Sequence, residues 1–175
     1  VAMILVIAAA TRLVLMENLL DLERRYLERD VDRVRKAVAE DLASLRRTAR
    51  DWSAWDDAYE FVATRSAGYV ERNLADEMLA DVNVDAILFL GTDGRTVYGK
   101  AIDVRGPGAA GLATELARYA AEHPALALRD AAGASVAGLA QLPAGTTLVA
   151  AWPILDSSRL QPPRGTLVMA RLLTS

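Results

Sequence analysis

Eleven consecutive residues, Asp51-Trp52-Ser53-Ala54-Trp55-Asp56-Asp57-Ala58-Tyr59-Glu60-Phe61, hold four of the chain's ten aromatic side chains and four carboxylates, with no Lys or Arg. Rings beside carboxylates are suited to receiving a cation, through charge pairing and attraction to the ring face. At 100° per residue, Trp52, Trp55, Asp56 and Tyr59 share one face of a helix, while Ser53 and Asp57 point away from it. A carboxylate on a face that meets a sheet is costly without a partner. We therefore take Trp55, Asp56 and Tyr59, with Trp52 beside them, as candidate ligand-binding residues for a cationic or amine-bearing small molecule. A structural role is open for the same residues. Trp52 and Tyr59 continue an apolar seam, and Asp56 has the amides of a following loop, or an Arg such as Arg171, as alternative partners.

Catalytic chemistry has far less support. Asp56 and Asp57 are neighbours, so on a helix their carboxylates diverge and do not form a cooperating acid–base pair. The chain has no Cys and one His, which removes thiolate chemistry, disulfides and His-rich metal centres. His123, just before Pro124, reads as a helix-end residue, and Asp93-Gly94 as a hairpin turn lacking the further ligands of a calcium loop. Gly106-Pro107-Gly108 and Gly111 form no dinucleotide or phosphate-loop fingerprint. No catalytic residue, metal or cofactor is expected, and the chain reads as a module other than an enzyme. A net charge of -3 leaves no basic footprint for nucleic acid.

The elements that must position the block differ sharply on its two sides. All eleven Gly and all six Pro lie between Gly68 and Gly165, so a helical first part is followed by a turn-rich second part. Val31, Val38, Leu45, Trp52 and Tyr59 recur every seven residues, with Val34, Trp55 and Val62 on companion positions. That repeat marks a left-handed helix-to-helix seam, made imperfect by Asp41 and Thr48. Glu28, Arg29, Asp32, Arg33, Arg35 and Lys36 read as a solvated charged face. An unbroken helix over residues 17–64 would be roughly 70 Å long. It cannot bury its seam within one small domain, so a homodimer through this helix is expected. Asp51 or Ser53 is placed to cap a new helix at a bend near residues 50–53.

Residues 1–10 are uninterrupted apolar sequence, and the apolar character persists to Met16 around Arg12. A membrane span needs roughly 20 such residues. A signal-peptide core and a buried helix are the alternatives. We read residues 1–16 as part of a transmembrane helix, because helical sequence runs on without a cleavage site. Starting at Val1 and not Met, the chain is expected to be a piece of a longer membrane protein.

The second part reads as strands around one helix. Strands are expected at residues 84–90 (VDAILFL), 96–100, 136–142, 146–152 and 166–173, and a helix at 112–122. Gly91-Thr92-Asp93-Gly94 and Pro143-Ala144-Gly145 supply tight turns, and Pro153 ends the fourth strand. This order predicts an α+β fold: a long N-terminal helix plus a five-stranded antiparallel sheet with helices on one face, the outline of a PAS-like sensory domain. Three regions result: residues 1–16 in the membrane, 17–64 as a signalling and dimerisation helix, and 65–175 as the sensor core.

The block and later motifs resemble the fourth class of CHASE domains, extracellular sensors attached to cyclases and histidine kinases. The resemblance rests on DWSAWDDAYEF at residues 51–61, Tyr69 and Asn73-Leu74, Phe89-Leu90-Gly91-Thr92-Asp93-Gly94 with Val97-Tyr98, Gly138-Leu139, Val149-Ala150-Ala151-Trp152-Pro153-Ile154, and Gly165-Thr166-Leu167-Val168-Met169-Ala170-Arg171. It covers residues 28–173. It adds Asn73 to the candidate ligand-binding residues. It implies a periplasmic or extracytoplasmic domain on the cell inner membrane of a bacterial receptor, ahead of a diguanylate cyclase, phosphodiesterase or histidine kinase. A dimerisation module that senses a protein partner or membrane state, without a small ligand, is the alternative.

Overall fold

A computed structural model of the protein describes residues 2–103, 109, 111–128 and 134–173; along the first helix it describes side chains at Met3 and from residue 28 onward. The Gly106-Pro107-Gly108 break and nearly all side chains of the apolar segment at residues 1–16 lie outside the described residues. Among the described residues no helix is long and apolar enough to cross a membrane.

The chain forms two compact units, Val1–Glu40 and Asp41–Ser175. The first helix, α1 (Ala2–Ser53), contributes to both units. In the first unit, Val31 and Val34 of the expected seam are 56% and 62% exposed. In the second unit, Leu45, Ala49 and Trp52 of α1 are buried.

The first helix does not run unbroken to residue 64: it stops at Ser53, at the bend considered for residues 50–53, which changes the phase of everything after it. The Ser53 hydroxyl donates to the Arg50 carbonyl at 2.9 Å, and the Ser53 carbonyl accepts the Leu155 N–H at 2.9 Å. Trp55 is extended (φ -100, ψ 136), and α2 (Asp56–Thr64) restarts with Asp56 and Asp57 in its first turn. Two carboxylates there favour a helix start by opposing the positive end of the macrodipole. Two short helices follow, α3 (Ala67–Asn73) and α4 (Asp76–Asp81). Neither stands out in the sequence, because at seven and six residues they are too short to show a periodic face.

The sheet has strands β1 (Ala86–Gly91), β2 (Thr96–Ala101), β3 (Val136–Leu142), β4 (Gly145–Ile154) and β5 (Gly165–Leu172) in the order β2-β1-β5-β4-β3, with every pair antiparallel. Helix α5 (Leu112–Glu122) crosses between β2 and β3. The α+β expectation holds for the class and its parts: a long helix, a five-stranded antiparallel sheet and flanking helices. Helices cover both faces of the sheet, however, and not one. Leu88, Leu90, Val149, Ala151, Val168 and Ala170 pack with Leu112, Leu116 and Ala120 of α5. The alternate residues face the other helices: Phe89 meets Phe61 of α2 and Tyr69 of α3, and Arg171 meets Asp41 of α1. An alternating strand whose two sets are both apolar, as in β1, must be covered on both sides.

β4 also runs through Pro153, which pairs with Thr166, and does not stop before it. β3 ends its pairing at Ala151, so Pro153 withholds an N–H only from an open edge. Gly165 opens β5 because a Cβ there would lie 2.1 Å from the Leu90 carbonyl oxygen. Gly94 takes φ 80 in the β1–β2 turn, where the Asp93 carboxylate accepts the Arg95 N–H at 2.9 Å. His123 ends α5, its Nδ1 lying 2.8 Å from the Tyr119 carbonyl oxygen and its ring stacked on Tyr119.

Candidate functional site

The break at Ala54–Trp55 separates residues that a continuous helix would have placed on one face. Trp52 stays on α1, 8% exposed, and its ring stacks on Trp55 at 5.5 Å between centroids. Trp55 is 37% exposed. Asp56 does not enter the core. Its two carboxylate oxygens accept the Ser157 N–H and the Ser157 hydroxyl, each at 2.8 Å. The loop amide was one of the two expected partners of Asp56. The other, Arg171, lies elsewhere: its Nε donates to the Asn83 carbonyl at 2.6 Å and its Nη1 to Asp41 at 3.2 Å.

Tyr59 is half-buried and turns to the same β4–β5 loop. Its hydroxyl donates to the Pro162 carbonyl at 3.1 Å, and the Arg164 guanidinium sits 3.9 Å from its ring centre. The ring therefore does hold a cation, supplied by the chain itself. Asn73 donates to the Tyr69 carbonyl at 3.2 Å within α3. Asp56 and Tyr59 thus act together on the loop between Ile154 and Gly165, and Trp52 and Trp55 form a separate stacked pair. Within that loop, Asp156 accepts from the Ser158 hydroxyl and the Gln161 N–H, and these bonds hold its carboxyl below the usual carboxylate range.

The inward face of α2 is Ala58, Phe61 and Val62. The sequence pointed to Tyr59 as the ring facing the sheet, whereas Phe61 takes that place. It stacks on Tyr69 at 4.5 Å and meets Phe89 and Tyr98 edge-on at 5.0 and 5.6 Å. Ser53, expected to point outward, is fully buried because it closes the end of α1.

A cleft of about 70 Å³ opens between α2 and α3. Asp57, Glu60, Phe61 and Thr64 line it from α2, and Ser66, Tyr69 and Arg72 from the start and body of α3. Tyr69 is 3% exposed, and its phenol is pushed above the ordinary tyrosine range by burial first and by Asp57 second. Among the described residues, no cluster of three or more His, Asp or Glu is placed to hold a metal. Sequence reading passed over Asp57, Glu60 and Tyr69 as site residues. The three- and four-residue steps from Asp57 to Glu60 to Thr64 were the available signal.

A second groove, about 290 Å³, is lined by Ala43, Arg46, Arg47, Arg50 and Trp152. Arg46 is already engaged there, donating to the Ser135 hydroxyl at 2.9 Å with its guanidinium over the Trp152 ring.

The buried end of α1, the acidic aromatic turn into α2 and the five-stranded sheet together match the CHASE4 domain model over residues 37–175. The chain belongs to the CHASE4 domain family. The match includes the whole sheet and every element that lines the cleft. As a CHASE4 domain the chain is a sensor module. It is similar to the methanogenesis regulatory histidine kinase FilI of Methanothrix harundinacea (strain 6Ac), with 31% identity over 165 residues. That similarity covers 91% of this chain and 18% of the length of the kinase, so the chain spans under a fifth of its relative.

Proposed function

We propose that this CHASE4 domain is the extracytoplasmic ligand-sensing part of a membrane-bound receptor, with a histidine kinase or a cyclase/phosphodiesterase as output. Ligand-dependent displacement of α1 carries the signal toward the membrane. The observation that carries this reading is the way the end of α1 is tied to strands far away in sequence. Asp41 is held by Arg171 of β5, and the Ser53 carbonyl by Leu155 just beyond β4. A change in the packing of the sheet must therefore be felt by the helix. A ligand shifts such an equilibrium only by its difference in affinity for the two packings. The exposed Val31 and Val34 support pairing of α1 with a second copy.

A second reading is a dimerisation module that answers to a protein partner or membrane state. The occupation of Asp56 by Ser157, and of the Tyr59 ring by Arg164, favours it.

Cysteine labelling of the full-length receptor in cells tests the topology and the pairing, because this chain has no Cys of its own. Glu71→Cys is expected to react with a membrane-impermeant maleimide in intact cells. Val34→Cys is expected to give disulfide-linked dimers. Labelling of Glu71→Cys only after lysis overturns the extracytoplasmic placement, and monomeric Val34→Cys under oxidation overturns the helix pairing.

A further inference from the structure

The cleft between α2 and α3 has the features of an unfilled polar site. The Tyr69 ring is wedged between Phe61 and Phe89 and 3% exposed, yet its hydroxyl has no hydrogen-bond partner among the described residues. Among the described residues every buried polar side-chain atom has a partner, so this oxygen reaches solvent through the cleft, where a ligand can take the place of water. Asp57 and Glu60 line the same cleft, and their carboxylates likewise make no hydrogen bond or ion pair among the described residues. Asp57 is close enough to disfavour ionisation of the phenol. Two carboxylates and a neutral phenol oxygen are three acceptors, and an ammonium head has three N–H donors to match them.

Charge and size narrow the ligand further. Arg72 also lines the cleft, so its formal charge is one net negative, suited to a monovalent cation. A hard divalent ion seeks six or more oxygen ligands and no neighbouring guanidinium. A volume of about 70 Å³ holds roughly two water-sized groups. We propose that this cleft binds the ammonium head of a small primary amine, with Asp57, Glu60 and the Tyr69 hydroxyl as its acceptors. Asp57 and Tyr69 lie on different helices, so a bound amine draws α2 and α3 together. The proposal rests on the reading of this chain as a ligand sensor and moves the ligand from Asp56 to its neighbour.

Methylammonium chloride is the probe, titrated into the full chain at constant ionic strength and followed by amide NMR shifts of α2 and α3. The ceiling on binding energy per non-hydrogen atom puts a two-atom ion at a Kd of about 5–10 mM at best, so the titration runs to roughly ten times that. Saturable shifts are expected in the wild type. They weaken at least tenfold in Asp57→Asn and severalfold in Tyr69→Phe, which keeps the ring contacts and the fold. Asp56→Asn is expected to bind as the wild type, and tetramethylammonium not to bind. Absence of saturation in the folded wild type, unchanged affinity in Asp57→Asn, or tighter binding of calcium than of methylammonium overturns the proposal. The same variants in the full-length receptor separate the two ideas. Amine binding abolished by Asp57→Asn with output unaffected supports the site and counts against ligand sensing. A metabolite response without amine binding overturns the site and leaves ligand sensing standing.

Discussion

Phe61→Ala is expected to be among the most damaging single changes in the acidic aromatic block, and Trp55→Ala among the mildest. Phe61 is 1% exposed and touches three other rings, Tyr69, Phe89 and Tyr98. Truncating a buried Phe removes its transfer free energy and leaves a cavity, at about 3–5 kcal/mol. The ring-on-ring contacts place this site in the upper part of that range. Trp55 is 37% exposed and stacks on Trp52 alone, so its loss costs about 1 kcal/mol. Urea unfolding followed by circular dichroism reads the difference. With a slope of about 2 kcal/mol per molar urea, Phe61→Ala lowers the midpoint by about 2 M and Trp55→Ala by about 0.5 M. Equal shifts, or a larger shift for Trp55→Ala, would refute the reasoning. Such a result would mean that α2 continues the phase of α1 and that Trp55 faces the sheet.

Three further outcomes follow from the same structure. Arg171→Met is expected to cost about 1–3 kcal/mol in urea unfolding, because the Asn83 carbonyl loses a charged donor in a site only 4% exposed. Asp41→Asn, whose carboxylate is half exposed, is expected to cost under about 1 kcal/mol. Tyr69 gives the chain an alkaline limit. Its folded phenol is raised, so the stability it contributes is intact below the ordinary value of about 10 and is lost as pH rises beyond it, where the unfolded chain releases the proton first. Unfolding midpoints from pH 8 to 11 are expected to fall more steeply in the wild type than in Tyr69→Phe; parallel curves contradict this account.

The reach of sequence reading shows in particular elements. β3 and α5 start and end at the expected residues, because alternation and the helical period are local signals bounded here by Gly and Pro. Helices α3 and α4 were not legible, being too short to display a face. The aromatic block was recognised as the informative segment, and its composition alone justified that. Its internal assignment was only half legible. Asp56 and Tyr59 are expected from the sequence to form a ligand face, and the structure shows their contacts to the β4–β5 loop through Ser157, Pro162 and Arg164.

The sequence by itself determined the α+β class, the antiparallel hairpins, the helical stem and the family, since each rests on periodicity, turn residues or motif content along the chain. Tertiary structure alone decided which side of α2 faces inward. The Leu155 N–H takes the Ser53 carbonyl, α1 ends, and two residues outside the helix reset the 100° register before Asp56. That contact spans about a hundred residues of chain, so no local pattern encodes it. Its consequence is that Phe61 turns to the sheet, Asp56 to a loop, and Asp57 to a cleft shared with Tyr69.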